Sequence, residues 1–482
     1  MIMANLTELL TRYRDRDDRF VAVVDGERES YRAFFTRIDR WQSEIGTTVP
    51  AGGIVLIDGV KTLDAVAAGV ASLLAEGGVS YLDLTLPSSR TSQIVTAMRP
   101  ALHLVHGGDG ISRHVPVENS PRRFAGSVVF TSGTTGQPKG VFSATEALAH
   151  YVDSMLDCMG DNRQTWLSIC PLHFDVFQLD VLVQLARGAD IILASNTLLP
   201  HQYLNIIADE GVTEVLYIST LLKMTVEMVD TAPKHDLRTI YYGGEGCSTA
   251  VLGRAMALFS GIEWCQFYGP TENCNNTTHH RFRTLRPTAT GFMPLGRPIR
   301  HVHIGVVDAD GRSCPVGEVG EIVLSGPQLF SGYLDTATGR FDPHRGAYHS
   351  KDLGYFDEAG DLWFTGRKDD IVKINGNRVS LVEIDNHIRS FVKDATVLTA
   401  VKEHRGFQVL VSGVHSPASF EPDEIIAHLR SVLPNYCVPT EVIRLPDDKV
   451  TRLSTGKTNY KLIKEFIAYG NEDRNNGQRR DQ

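Results

Sequence analysis

Between residues 20 and about 199, short β-branched runs alternate with helical stretches, and this rhythm restricts the chain to layered α/β architecture. The runs are 20–24 (FVAVV), 53–57 (GIVLI), 79–84 (VSYLDL), 101–105 (ALHLV), 128–131 (VVFT) and 191–194 (IILA). The unit recurs where a helix-like segment from Gln202 leads into 214–219 (EVLYIS), and again at 238–242 (RTIYY) before Gly243 and Gly244. Two stacked α/β subdomains with parallel strands are predicted. After Arg297 the texture changes to period-two strands and turns, with 303–307, a turn at 308–311, and 320–324 forming a smaller β-rich lobe. Residues 366–384 (GRKDDIVKINGNRVSLVEI) concentrate charge and glycine before a new αβ block, so a boundary is placed there. The predicted organisation is a large N-terminal domain over 1–368, a small mobile α+β C-terminal domain over 369–469, and a polar disordered tail over 470–482 (GNEDRNNGQRRDQ).

At 482 residues the chain is too long for one ordinary core. A hydrophobic share of 42% with 22% charged residues belongs to an ordinary globular protein. Against 48 basic side chains stand 57 acidic ones, a net charge of -9, which is the wrong sign for a general nucleic-acid binder. The longest apolar stretches, such as 65–75, fall short of the roughly 18 to 20 residues that span a bilayer, so no transmembrane helix and no membrane partner are predicted. Residues 1–20 read as an amphipathic helix carrying both charges, without the apolar centre and cleavage site of a signal peptide, and a cytoplasmic location follows. Cys158, Cys170, Cys247, Cys265, Cys274, Cys314 and Cys437 are scattered, odd in number and never spaced as CxxC, which predicts reduced thiols and no zinc site.

The most chemical segment is residues 131–140 (TSGTTGQPKG), which follows a buried strand and precedes a helix-like stretch over 146–155. Glycines let backbone N–H groups approach phosphate oxygens, hydroxyls add donors, and Lys139 adds positive charge. Gly133 and Lys139 match Walker spacing, but Pro138 removes an N–H and Gly140 stands where a magnesium-binding Ser or Thr belongs, so a P-loop ATPase is disfavoured. By composition alone the segment suits a flexible surface loop equally well.

TSGTTGQPKG resembles the signature loop of the adenylate-forming superfamily, which comprises acyl-CoA synthetases, luciferases and peptide-synthetase adenylation domains. Further segments resemble its motifs in order: YGPTE (268–272), GEVGEIVLSGPQLFSGY (317–333), Asp352 within SKDLG, GRKD (366–369), KINGNRVSLVE (373–383), LPNYCVP (433–439) and STGK (454–457). The resemblance implies an ATP-dependent ligase that joins a carboxylate to the α-phosphate, releases diphosphate, and hands the acyl group to a thiol. It implies ATP contacts from Thr131, Ser132, Gly133, Thr134, Thr135, Gly136, Lys139, Gly244, Tyr268, Gly269, Asp352, Arg367 and Arg378. Lys457 and Thr271 would meet the α-phosphate and Glu272 would bind Mg2+, since a hard cation shared with phosphate oxygens wants a carboxylate. Asp369 would be the hinge about which the C-terminal domain swings. The sequence has Ser350 and Lys351 where the family usually has Thr and Gly before the aspartate, which puts the local loop shape in question.

Phe174 and Asp175, within CPLHFDVFQLD, resemble the FD motif of amino-acid-activating domains. A buried carboxylate is costly unless it meets a cation, so Asp175 is read as the partner of an α-ammonium, with a helix cap as the alternative. The family's pocket carries over to Val176, Leu179, Tyr217, Tyr241, Gly243, Phe267, Asn275 and Asn276. Phe267 stands where a small residue is usual, and with the two tyrosines it predicts a short pocket for alanine, glycine or serine. The acceptor is read as the phosphopantetheine thiol of a separate carrier protein. CoA as acceptor, or a catalytically silent nucleotide-binding relative, are the alternatives, and His173 and Phe174 are both candidates to assist the thiol step.

Overall fold

The computed structural model of the chain describes all residues except 1–4, 25, 108–109, 115–122, 133–137, 161–162, 196, 287–291, 369–370, 393–394, 405–406, 417–418, 452–459 and 470–482. Two compact units are present. The first comprises residues 1–84, 95–130 and 139–368, and the second 85–94, 131–138 and 369–482.

The first unit holds two large sheets of α/β type. A nine-stranded sheet has a parallel centre of Phe20–Val23, Asp190–Leu193, Thr165–Ser168, Glu214–Ile218, Thr239–Gly243 and Glu263–Tyr268, with antiparallel strands at its edges. An eight-stranded sheet is parallel through Leu102–Gly107, Ile54–Asp58, Gly78–Leu82 and Gly126–Ser132. Strands such as IVLID and GVSYL are buried at every position, because helices cover parallel sheets on both faces. One apolar core draws on both sheets, from Val55 and Val79 to Trp166 and Tyr241. The β-rich lobe is a four-stranded antiparallel sheet of His303–Val307, Gly320–Ser325, Tyr348–Phe356 and Leu362–Arg367.

The second unit pairs Ile371–Ile374 with Asn377–Ser380 and packs the helices Leu381–Phe391 and Pro422–Val432 with a three-stranded sheet. Its core includes Ile384, Ile388, Leu410, Ile425 and Leu429.

The N-terminal segment departs from the single helix expected over 1–20. The described helix is Leu6–Thr11, capped by the Asn5 side chain, and Phe20 already opens a strand. The charges that follow the helix pair outward, Arg14 with Asp39 at 2.7 Å and Asp17 with Arg32 at 3.0 Å, instead of along one helical face. No helix among the described residues is long and apolar enough to cross a membrane.

Candidate active site

Of the glycine-rich segment, Gly133, Thr134, Thr135 and Gly136 lie outside the described residues, while Thr131 and Ser132 end the strand Gly126–Ser132. Lys139, on the returning strand Pro138–Ala144, sits opposite Asp335 in antiparallel register. Its Nζ lies 3.0 Å from the centroid of the Tyr333 ring. The Tyr333 hydroxyl donates to Glu272 Oε1 at 2.9 Å. Glu272 is buried within the short 3-10 turn Thr271–Asn273, whose geometry is held by the Phe330 N–H donating to the Glu272 carbonyl. Burial and the neighbouring Glu272 charge push the Tyr333 phenol far above its ordinary range. A cation, an aromatic ring and a buried carboxylate therefore stand in series.

Tyr268 ends the strand Glu263–Tyr268, and its hydroxyl donates to Asp352 Oδ2 at 2.7 Å. Gly269 follows where a Cβ would meet the Asn275 carbonyl oxygen at 2.0 Å, so no other residue fits that approach. Asp352 stands opposite Arg367 in the ladder. Ser350 Oγ donates to the Ile322 carbonyl and accepts from the Asp352 N–H. Lys351 takes a φ of 63°, the left-handed conformation glycine adopts freely, and its N–H donates to Glu321. The loop shape put in question by Ser350 and Lys351 is thus one a glycine would also adopt. Gly244, at φ 84°, lies exposed beyond Thr239–Gly243. Arg378 belongs to the second unit, opposite Lys373. Lys457 and Asp369 lie outside the described residues.

The residues matched to the family's acid pocket fall largely on one face of the nine-stranded sheet. Paired residues in neighbouring strands point the same way, which puts Leu216, Ile218, Tyr241, Gly243, Cys265 and Phe267 on that face. Tyr217 is not among them. It is in register with Tyr242 and Gln266, packs against Phe259, and faces the opposite side, while Leu216 and Ile218 share the face of Tyr241. Tyr241 and Phe267 stack at 5.1 Å with their planes 8° apart, both buried. A Cβ on Gly243 would lie 2.5 Å from the Phe267 carbonyl oxygen. Asn276, buried, accepts from the Tyr151 hydroxyl at 2.5 Å, and Asn275 precedes it at φ 81°.

Asp175 is half-buried, and its Oδ2 accepts from the Thr271 hydroxyl at 2.6 Å. Val176 and Leu179 are buried beyond it, the latter in a π-helix, Gln178–Val183, a distortion that often marks functional segments. His173 lies 3.6 Å from Asp83 and edge-on to Phe174, and burial lowers its pKa.

Residues unsuspected from the sequence hold this segment. Asp180 accepts from Trp166 Nε1 at 3.1 Å and Ser168 Oγ at 2.7 Å, while Lys61 Nζ donates to the Ser168 carbonyl at 2.8 Å. The available signal was a carboxylate inside the otherwise apolar run LDVLV. Tyr151 carried no such signal.

Residues 108–334 match the family described as AMP-binding enzyme. The chain is 29% identical over 351 residues to surfactin synthase subunit 3 of Bacillus subtilis (strain 168), covering 70% of this chain and 27% of that one. It is 30% identical over 362 residues to phosphinothricin tripeptide synthetase PhsB of Streptomyces viridochromogenes, covering 71% and 30%. It therefore spans less than a third of the length of either relative. Among solved structures, the Vibrio cholerae adenylation domain AlmE, in complex with glycyl-adenosine-5'-phosphate, shares the fold at a TM-score of 0.79 and 20% identity, covering 96% of this chain and 98% of that one. The amide bond synthetase McbA from Marinactinospora thermotolerans does so at 0.79 and 20%, covering 95% and 99%.

Proposed function

We propose that the chain, which belongs to the adenylate-forming superfamily of AMP-binding enzymes, activates a small α-amino acid with ATP and passes the aminoacyl group to the phosphopantetheine thiol of a carrier protein in trans. The observation that carries this reading is the hydrogen bond from Thr271 to Asp175. It brings a carboxylate suited to an α-ammonium to the residue beside Glu272. In the first step a substrate carboxylate oxygen bonds to the α-phosphorus and the bond to diphosphate breaks. In the second a thiolate attacks the acyl carbon and AMP leaves.

Both steps bring anions together, so positioning and charge stabilisation dominate. Lys457 would bridge the carboxylate and α-phosphate, with Thr271 donating beside it. Thr131 to Gly136 and Lys139 would grip the outer phosphates. Tyr268 would cover the adenine near Gly244 and Gly269, with Asp352 taking the ribose hydroxyls through two acceptor oxygens, and Arg367 and Arg378 adding charge. Among the described residues no cluster of three His, Cys, Asp or Glu could hold a metal alone, so an ion on Glu272 would need phosphate oxygens, which suits Mg2+. When bound, Mg2+ would neutralise phosphate charge. We place the domain boundary at 368/369 and the swing at Asp369, because Lys457 must leave before a thiol approaches.

The Tyr241–Phe267 stack, at positions matched to the family's acid pocket, supports a small side chain. Diphosphate exchange across an amino-acid panel tests this, with alanine, glycine or serine as the expected best substrate. Preference for a bulky aromatic acid would sink the size reading. Unchanged exchange in Lys457→Ala would sink the catalytic assignment. Mass gain on a carrier protein, against formation of a CoA ester, decides the acceptor.

A further inference from the structure

Tyr241, matched to the family's acid pocket, is held by more than the packing of its ring. Tyr241 is fully buried, with Phe267 stacked on its ring and Trp166 tilted against it at 5.7 Å. Its hydroxyl meets charge on two sides. It donates to Glu214 Oε1 at 3.4 Å, and Arg281 Nη2 donates to it at 3.4 Å. The Arg281 guanidinium carbon also lies 5.7 Å from the centroid of the ring.

Both charged groups are themselves fixed. Glu214 is buried and takes Arg187 Nη1 at 2.7 Å, and Arg187, also buried, donates through Nε to the Gly160 carbonyl at 2.8 Å. Arg281 pairs with Glu263 and donates to the Cys158 carbonyl at 3.0 Å. A buried charged pair contributes little net stability but holds its members in one geometry. The tyrosine is therefore anchored at its far end by groups that cannot easily move, while its ring is packed by Phe267 and Trp166.

We propose that Glu214 and Arg281 are positioning residues that clamp Tyr241 by its hydroxyl and thereby set the largest acid side chain the site admits. The proposal rests on the amino-acid reading of the site. Without the clamp, the ring can turn from the stacked position and yield space to one or two further carbons. A pocket bounded only by ring volume would not respond to loss of the hydroxyl or of the guanidinium charge.

The test is a ladder of glycine, alanine, 2-aminobutyrate, valine and leucine, read as kcat/KM in diphosphate exchange relative to the best substrate of the unaltered enzyme. Tyr241→Phe removes only the hydroxyl, and Arg281→Met removes the cation while retaining a flexible stem. In each, the ratio for the next two longer side chains is expected to rise about tenfold through a lower KM, and the double variant should gain less than the product of the singles, as residues in one network do. A merely structural role would lower kcat for every acid alike and leave the ratios unmoved. Ratios within about twofold of the unaltered enzyme in Tyr241→Phe and Arg281→Met would overturn the clamp, whether Tyr241→Ala widens the range or not. Should Arg281→Met fail to fold, Tyr241→Phe decides alone. If the unaltered enzyme activates a different class of acid, the amino-acid reading fails separately, and a chain-length ladder within that class applies the same criterion to the clamp.

Discussion

Asp180 offers a test of how the segment that follows Asp175 is held. Burial raises its pKa from the ordinary 3.8 to about 6, against the pull of the Lys61 charge and the hydrogen bonds from Ser168 and Trp166. A carboxyl raised in this way binds its proton more tightly in the folded than in the unfolded chain. The associated stability is present below about pH 4 and is lost as the pH rises through about 6. At about 1.4 kcal/mol per tenfold change in proton affinity, the rise from 3.8 to about 6 amounts to about 3 kcal/mol. Asp180→Asn cannot titrate, so the stability of the unaltered protein minus that of the variant should fall by about 3 kcal/mol between pH 4 and 7. Burial also lowers Lys61, to about 8, which keeps its titration above this window. Urea unfolding at fixed pH steps, followed by tryptophan fluorescence, measures the difference directly. The reasoning is refuted if the difference is flat or rises with pH, since Asp180 would then be no more costly to ionise than an exposed aspartate.

Three further substitutions probe the packing around the site. Arg187→Met strips the buried Glu214 of its bidentate partner and should cost about 3 to 5 kcal/mol in chemical unfolding, far beyond an exposed pair such as Arg14–Asp39. Gly243→Ala drives a Cβ to within 2.5 Å of the Phe267 carbonyl oxygen, and a loss of about 1 to 3 kcal/mol in unfolding with weakened diphosphate exchange is expected. Lys351→Gly relieves a left-handed φ but adds freedom to the unfolded chain, so thermal melting should show a gain of about 0.5 kcal/mol.

The layered α/β core and the β-rich lobe were legible because their signals are local: buried strands read as apolar runs and surface strands as alternation. The YGPTE turn was legible for a similar reason, being a contiguous motif. Tyr217 was misplaced because a strand turns successive side chains to opposite faces, so a slip of one residue along EVLYIS moves a side chain off the face shared by Tyr241 and Phe267. Register against Tyr241 and Phe267, which lie about 24 and 50 residues downstream, decides between them. The same limit hid Tyr333. Its place between Lys139 and Glu272 depends on the pairing of Gly332–Asp335 with residues 139–142, nearly two hundred positions away.

Lys351 shows where local preference gives way. A lysine in place of the family's glycine argues against the left-handed turn that glycine provides, since a Cβ there crowds the following carbonyl at a cost of roughly 1 to 2 kcal/mol. The turn forms nevertheless because its backbone is held from both flanks. Ser350 ties the segment to Ile322, Glu321 accepts the Lys351 N–H, and Lys368 anchors the same Glu321 carboxylate at 2.9 Å. Several bonds to the neighbouring strand outweigh one unfavourable φ, and the outcome is that Asp352 still meets the Tyr268 hydroxyl. A substitution that breaks a motif by letter can therefore preserve it in geometry, provided the residues flanking it in space supply what the missing glycine would have given.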